Sequence, residues 1–380
     1  MDLTLPLWLY YVLGFPLLLG PLVTVHELGH YLVGRWFGVQ AEAFSIGFGK
    51  EIWGFTDKRG TRWKLAALPL GGYVQFKGDM NPASIPDAEA IANATADERV
   101  GSFHHASLWK RALIVFAGPA TNILLTLAIF ASFFALFGKP VPADAEQQLT
   151  VQTFAEQSPA REAGLNIGDR IVSIEGVVVH GFRDVQNEIL LYPGRTLDIT
   201  VLRDGAELTI PVTTASHEIT DEFGNVSRIG LIGIAASDAT YAYEPQGLVS
   251  SVGLAVDHSL GIVEMMVTGI GQIVSGERSV KELGGPVKIA KYSGEQLSLG
   301  PLAFINFVAL ISLNLAFINL LPIPALDGGH LAFYAAEAVR RKPVGPRGQE
   351  VAYRAGVALV LMLMVFVTVN DLAGLPLFGK

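Results

Sequence analysis

The 380-residue chain contains no cysteine and few charged residues. The absence of cysteine excludes disulfide bonds and thiolate metal sites. Charged residues make up 16% of the chain, whereas ordinary soluble domains carry about 25%. The net charge of −8 forms no basic stripe, which argues against a nucleic-acid partner. With 51% hydrophobic residues and a positive mean hydropathy, the composition predicts a membrane protein with room for one soluble domain.

Long hydrophobic runs predict the membrane-spanning helices. Four segments are long enough to cross about 30 Å of hydrocarbon: residues 7–34, 112–137, 302–326 and 355–370. Residues 1–25 have neither the basic start nor the small-residue cleavage site of a secretory signal, so the first run is predicted to be a retained helix. A further apolar stretch, 247–274, is interrupted by charged residues, which favours an amphipathic helix at the membrane interface over a fifth span.

Lysine and arginine in the loops predict the orientation. The loop 35–111 contains ten of them, and residues 340–342 read Arg-Arg-Lys. Because basic loops stay on the cytoplasmic side, both loops are predicted to be cytoplasmic, with both termini and the segment 138–301 outside.

The pattern between the second and third spans differs from that of the spans. Residues 144–215 contain short alternating segments and an Arg-Asp-Gly turn, which predict a small α+β domain. The expected organisation is a first half of a membrane core at 1–137 with a β-hairpin loop at 44–79. After it come the inserted domain at 144–215, a connecting segment at 216–300 and a second half of the core at 301–380.

The sequence HELGH at 26–30 predicts a metal site. On a helix, His26 and His30 lie on one face and can share a metal ion. Glu27 is placed to act as a general base, and zinc suits such a ligand set. A catalytic zinc site requires a third protein ligand.

Asp327 is the favoured third ligand on geometry. It lies near the cytoplasmic end of a span that runs parallel to the first, at a depth similar to that of His26. Pro322 and Pro324 interrupt the helix just before it. His330 is a rival ligand or a supporting partner, and Asp371 lies at the opposite end of its span.

Three motifs occur in order: HELGH, AGPATN at 117–122 and NLLPIPALDGGH at 319–330. Together they resemble the site-2 protease family of intramembrane zinc metalloproteases. The similarity is greatest to the regulator-of-sigma-E protease branch, whose members carry periplasmic PDZ domains between spans two and three. The resemblance implies a polytopic α-helical protein of the bacterial inner membrane, with its PDZ domain and termini in the periplasm. The best-known members have tandem PDZ domains, whereas residues 144–215 accommodate only one.

The resemblance also implies roles for individual residues. It implies that His26, His30 and Asp327 bind one catalytic zinc ion and that Glu27 is the catalytic carboxylate. Substrate handling near the metal is implied for Asn314, Asn319, Pro322 and Pro324. For Asn319, a polar contact between helices is the alternative. Asn122 of AGPATN is expected to pack between helices.

Two further segments are candidates for substrate contact. The segment 63–76, which includes Gly71, Gly72 and Tyr73, predicts a re-entrant hairpin that captures an unwound substrate by strand addition, or else an ordinary cytoplasmic hairpin. The EAGLNIGD sequence at 162–169, with Gly164 and Leu165, resembles the turn leading into a PDZ peptide groove. A PDZ domain there would bind an exposed C-terminus or exclude substrates with bulky outer domains, and the second role is favoured.

The sequence therefore predicts a zinc-dependent endopeptidase that cleaves transmembrane segments of single-span proteins in the bilayer. Its expected substrates are anti-sigma factors or signal-peptide remnants already trimmed by another protease. The alternative is a catalytically silent membrane scaffold whose PDZ domain binds peptides. The intact Glu27 argues against that alternative, because a scaffold has no need of the base.

Overall fold

The computed structural model describes residues 6–78, 94–220, 226–235, 241–280, 283–342 and 344–373. Two compact units make up the chain. The membrane unit comprises Met1–Ser132 and Val252–Lys380, and the inserted unit is Phe133–Ser251.

The helices and strands are numbered along the chain. The described helices are α1 Leu7–Trp36, α2 Ala96–Arg99, α3 Leu108–Phe137, α4 Ala145–Leu149, α5 Pro159–Glu162, α6 Phe182–Leu190, α7 Leu248–Ser275, α8 Pro286–Ser298, α9 Pro301–Leu320, α10 Asp327–Arg340 and α11 Pro346–Ala373. The described strands are β1 Ala41–Thr56, β2 Arg62–Phe76, β3 Lys139–Pro142, β4 Thr153–Phe154, β5 Arg170–Ile174, β6 Val177–Val178, β7 Thr196–Arg203, β8 Ala206–Thr213, β9 Ala215–Thr220, β10 Val226–Leu231, β11 Ile234–Ala235 and β12 Tyr241–Glu244.

Five helices in the described part of the chain are long and apolar enough to cross a membrane: α1, α3, α7, α9 and α11. The protein is therefore a multi-pass membrane protein. Four of these helices correspond to the four predicted spans. The fifth, α7, covers the stretch 247–274 for which the sequence favoured an interfacial helix, and its 28 residues form one uninterrupted helix. The count of four spans thus remains a prediction.

The third span ends earlier than predicted. It ends at Leu320 rather than at 326, because Pro322 and Pro324 cannot continue the helix. The first span agrees with its predicted bounds 7–34 to within two residues, since α1 is Leu7–Trp36. This helix continues ten residues past His26, which is about 15 Å, so both histidines lie within it.

Small residues allow the helices of the membrane unit to approach closely. A Cβ atom at Gly29 of α1 would lie 2.6 Å from Thr121 Oγ1 of α3. One at Gly14 would lie 2.7 Å from the Gly294 nitrogen of α8. Such contacts leave no room for a side chain, and small residues at these positions are typical of packed membrane helices.

Strands β1 and β2 form an antiparallel hairpin beside α1, in which two parts of β2, residues 62–66 and 72–76, both pair with β1. Ala43 lies opposite both Gln75 and Arg62, and Ile46 lies opposite both Gly72 and Leu65. The first half of β1 therefore has a neighbour on each side, while its second half pairs with residues 62–66. The hairpin thus forms a small sheet in which residues 72–76 pair with 41–46.

Asp57 closes the turn between β1 and β2. Its carboxylate accepts hydrogen bonds from the Trp63 indole at 3.1 Å and from the backbone nitrogens of Arg59 and Thr61 at 2.8 and 3.0 Å. These donors, the indole first among them, hold the pKa of Asp57 below its usual range. The network fixes the turn that brings residues 62–66 back along β1.

A four-stranded sheet forms the centre of the inserted unit, in the order β6-β5-β7-β8. Ile171 of β5 and Leu197 and Ile199 of β7 are buried in one core with Val185 of α6. Asp169, which is 1% exposed, precedes β5 and accepts hydrogen bonds from Arg203 Nε and Nη2, both at 2.7 Å. These bonds lower the pKa of the Asp169 carboxyl group.

The inserted unit extends beyond the predicted limits 144–215. Strand β12 pairs with β3, and β11 pairs with β4, so residues 241–244 and 234–235 pair with strands that begin before residue 155. The compact unit Phe133–Ser251 accordingly includes described residues of the predicted connecting segment 216–300. Pairing between strands about a hundred residues apart in sequence leaves no local pattern from which it can be predicted.

Candidate metal centre

His26, His30 and Asp327 come together in the membrane unit. One ligand atom from each lies within 4.8 Å of the others. The Asp327 Oδ2 atom is 3.2 Å from His26 Nε2 and 3.5 Å from His30 Nε2, and the two Nε2 atoms are 3.2 Å apart. All three side chains are at least four-fifths buried. The arrangement aims two nitrogens and one carboxylate oxygen at a common point.

Helix geometry brings the two histidines together. They lie four residues apart on α1, so their side chains project from the same face about one turn apart. The Nδ1 atom of His30 donates to the Ile114 carbonyl oxygen at 2.8 Å. A carbonyl only accepts, so the hydrogen of His30 is on Nδ1 and its Nε2 lone pair faces the cluster.

The break between α9 and α10 places Asp327. Helix α9 ends at Leu320, Ala325 adopts a positive φ of 90°, and α10 begins with Asp327 itself. The break turns the chain so that the first side chain of α10 faces the histidines of α1.

The donor set fits a zinc ion. Within the described structure, Asp327 Oδ2 is a buried oxygen with no hydrogen-bond partner. A buried carboxylate oxygen without a donor is costly unless a cation compensates it. Two imidazole nitrogens and one carboxylate oxygen are a common catalytic zinc set that leaves one position open.

Glu27 lies beside this cluster in an open cavity of about 300 Å³. The hairpin forms one wall, with Gly72, Tyr73 and Val74 among the lining residues. A Cβ atom at Gly72 would lie 3.2 Å from Glu27 Cγ, so residues 72–76 pass directly against the glutamate. The cavity therefore brings a carboxylate, a metal-binding cluster and a strand to one place.

The remaining predicted site residues fall into two groups. Gly72, Tyr73, Asn319 and the rival ligand His330 line the cavity. Gly71, Asn314, Pro322 and Pro324 are not among its described lining residues. Gly71 packs against the Phe48 ring, and Pro324 packs against Gly356 of α11.

Asp371 has a structural role away from the cluster. Its carboxylate accepts hydrogen bonds from the backbone nitrogens of Gly285 at 3.1 Å and Lys288 at 3.0 Å, at the start of α8. It therefore caps α8, in agreement with its exclusion as a ligand on grounds of depth.

The predicted groove residues Gly164 and Leu165 lie in one turn of the inserted unit. The Leu165 side chain is 1% exposed and lies in the core of that unit. The Gly164 carbonyl accepts a hydrogen bond from Arg203 Nη2 at 2.8 Å. The side chain of Leu165 therefore packs inward, and a peptide groove at this turn stays a prediction.

Two residues of the AGPATN motif contact the histidines, and the sequence pointed to neither contact. Gly118 lies against both imidazoles. Asn122 is fully buried, and its amide lies 3.2 Å from His26 Nδ1. The spacing of four residues puts both on one face of α3, which is the signal that could have marked them as part of the site.

Comparison with known proteins identifies the family. The profile of Peptidase family M50 matches residues 14–363. The chain belongs to this family. The match covers nearly the whole chain and confirms the resemblance to site-2 proteases.

The curated relatives are similar over their full length. The chain is 44% identical over 369 residues to a protein of Agrobacterium fabrum assigned as a zinc metalloprotease, covering 96% of each chain. It is 36% identical to a protein of Rickettsia conorii assigned in the same way, covering 96% of this chain and 99% of that protein. It is 34% identical to the metalloprotease MmpA of Caulobacter vibrioides, covering 93% of each. The protein is accordingly a zinc metalloprotease that acts on membrane proteins in the bilayer.

Proposed function

We propose that this M50 metalloprotease cleaves transmembrane segments of single-span membrane proteins, with His26, His30 and Asp327 as zinc ligands. The observation that carries the proposal is the convergence of these three donors beside Glu27 in a cavity walled by the hairpin. When bound, zinc supplies Lewis-acid polarisation of the scissile carbonyl and lowers the pKa of the attacking water.

Glu27 is the proposed proton carrier. It follows the first ligand directly in sequence, and its carboxylate lines the cavity. In peptide hydrolysis it accepts a proton from the attacking water and later transfers one to the departing amine. Both transfers take place at the same carboxylate, so no second acid is required.

Residues 72–76 are the proposed substrate platform. A transmembrane helix hides its peptide bonds within its own hydrogen bonds, so it must be extended before it can be cut. An extended segment laid along this strand would pass the Glu27 side chain, because Gly72 lies against that residue. Asn319 and Tyr73, which also line the cavity, are proposed to contact the extended segment.

The inserted unit is proposed to be a single PDZ domain that acts mainly as a size filter. It has a four-stranded sheet and helix α6 over a compact core. The proposed orientation puts this unit and both termini in the periplasm and the metal near the cytoplasmic side of a bacterial inner membrane. The favoured substrates are anti-sigma factors or signal-peptide remnants trimmed by another protease.

The test compares wild type with Glu27→Gln and His26→Ala. We expect Glu27→Gln to bind zinc normally and to accumulate truncated single-span fragments that wild type removes. His26→Ala should lose both zinc and activity. Equal fragment levels in wild type and Glu27→Gln membranes would refute the protease mechanism and favour the silent scaffold.

A further inference from the structure

Asn122 occupies an unusual position for a packing residue. It lies on α3, is fully buried, and its Nδ2 atom is 3.2 Å from His26 Nδ1. Its Oδ1 atom is buried and, within the described structure, has no hydrogen-bond partner. A buried amide oxygen without a partner costs about 1–3 kcal/mol, and in the orientation shown this oxygen is not used as an acceptor.

The two nitrogens of His26 face different groups. Its Nε2 atom faces the cluster, at 3.2 Å from both Asp327 Oδ2 and His30 Nε2. A neutral histidine that binds a metal through Nε2 carries its hydrogen on Nδ1. That hydrogen needs an acceptor, and the group at hand is the side chain of Asn122.

The amide supplies the acceptor after a half-turn about its Cβ–Cγ bond. As oriented in the structure, Nδ2 donates to Nδ1, which requires the His26 tautomer whose hydrogen is on Nε2. That tautomer cannot ligate a metal through Nε2. The half-turn exchanges the positions of Oδ1 and Nδ2, which have nearly the same shape, and allows His26 Nδ1 to donate to Oδ1.

The two histidines are thus supported in different ways. His30 donates to the Ile114 backbone carbonyl, which no side-chain substitution removes. His26 depends on a side chain. The tautomer of His26, unlike that of His30, can therefore be altered by a single substitution.

Hydroxyl groups fix the turn of α3 that carries Asn122. The Ser312 Oγ of α9 and the Thr126 Oγ1 both donate to the Asn122 carbonyl oxygen, at 2.9 and 3.0 Å. Thr126 Oγ1 also lies 3.0 Å from the Ala309 carbonyl oxygen. These contacts connect α3 to α9 at the turn that carries Asn122.

We propose that Asn122 is a positioning residue of the zinc centre. Its side-chain oxygen accepts a hydrogen bond from His26 Nδ1 and so stabilises the tautomer whose Nε2 can bind zinc. The inference rests on the proposed ligand set. It assigns to AGPATN a role in holding a ligand rather than in packing alone.

The test measures zinc affinity in purified full-length protein by competition with a chelator. Asn122→Leu keeps the branched shape at a larger volume and has no acceptor, and we expect it to weaken zinc binding by roughly 10- to 100-fold. Asn122→Asp keeps an oxygen beside Nδ1 and should restore the affinity to at least that of wild type. Ser132→Ala removes an exposed hydroxyl of the same helix, which donates to the Ala128 carbonyl oxygen away from the cluster, so its zinc affinity should be unchanged.

Comparing Asn122→Asp with Asn122→Leu separates the effect of a lost hydrogen-bond acceptor from the effect of altered packing. Zinc affinity of Asn122→Leu equal to that of wild type would overturn the proposal, and so would equal weakening in Asn122→Leu and Asn122→Asp. Asn122→Ala provides the same comparison where the leucine variant does not fold. The unfolding temperature of each metal-free variant, measured alongside, identifies losses that come from packing.

One more variant distinguishes failure of this inference from failure of the ligand set. His26→Ala should lose zinc outright. If it binds zinc as wild type does, the proposed ligand set is wrong. If His26→Ala loses zinc and the affinities of the Asn122 variants match wild type, only the role of Asn122 is wrong.

Discussion

Gly118 of α3 lies so close to His30 of α1 that a Cβ atom on the glycine would overlap the imidazole Nε2. The same Cβ would lie 2.9 Å from His26 Cε1. The space that a methyl group would fill is therefore occupied by the two proposed ligands. In this arrangement of the proposed ligands, only glycine at position 118 avoids overlap with the imidazoles.

Gly118→Ala should consequently weaken zinc binding. Overpacking costs about 1–3 kcal/mol, which corresponds to a loss of roughly ten- to a hundredfold in affinity if the imidazoles absorb the shift. Competition with a chelator measures the zinc affinity of the variant. Gly20→Ala is the matched control, since a Cβ at Gly20 of α1 meets no atom within 4 Å. Equal affinity in both variants would show that the imidazoles do not need this space.

Gly72→Ala should reduce catalysis without removing the metal. A Cβ atom there would lie 2.7 Å from the Ser45 carbonyl oxygen and 2.8 Å from Val23 Cγ1, so the strand must move away from α1. Misplacing a substrate by about 1 Å can cost about a hundredfold in rate. We expect kcat/KM for a transmembrane substrate to fall while zinc content stays at the wild-type level.

The control for Gly72 is Ala67→Ser, at an exposed position of the same strand. It should leave kcat/KM unchanged. A Gly72→Ala enzyme with full activity would argue against residues 72–76 as the substrate platform.

Asp371→Ala should destabilise the membrane unit and leave the metal site intact. The substitution removes both acceptors for the Gly285 and Lys288 amides, and loss of a helix cap costs about 0.5–2 kcal/mol. We expect a lower unfolding temperature in detergent together with unchanged zinc affinity. Asp371→Asn keeps one acceptor and should lose less stability. Loss of zinc in Asp371→Ala would instead identify this residue as part of the metal centre.

Lowering the pH should destabilise the inserted unit, because the Asp169 carboxylate becomes protonated. The hydrogen bonds from Arg203 lower the folded-state pKa of this carboxyl group below its value of about 3.9 in an unfolded chain. The resulting stability is fully present above the unfolded pKa and is lost as the pH falls through the folded pKa. Hydrogen exchange of the β5 and β7 amides in the full-length protein, corrected for intrinsic rates, should show lower protection below about pH 4.

Asp169→Asn provides the comparison for this pH effect. It should be less stable than wild type at neutral pH and should show a smaller change on acidification. Parallel pH dependence in the two proteins would mean that another group causes the loss.

The sequence predicted the elements of the site whose chemistry is local. HELGH places two histidines on one helix face. The prolines before Asp327 predict the helix break that turns its side chain toward the histidines. It did not predict the contact of Asn122 with His26, because a buried asparagine that packs and one that supports a ligand have the same local pattern. The sequence also could not predict that β12 pairs with β3, since the local sequence of a strand does not identify a partner about a hundred residues away.

The proposed ligands are drawn from opposite ends of the chain. His26 and His30 are on α1, and Asp327 begins α10, with the whole inserted unit between them in sequence. During synthesis, the third donor therefore becomes available only after most of the polypeptide has been made. A nascent chain that lacks α10 has the general base and two donors but cannot complete the proposed centre. With the proposed ligand set, hydrolytic activity therefore requires a chain that has been made through α10.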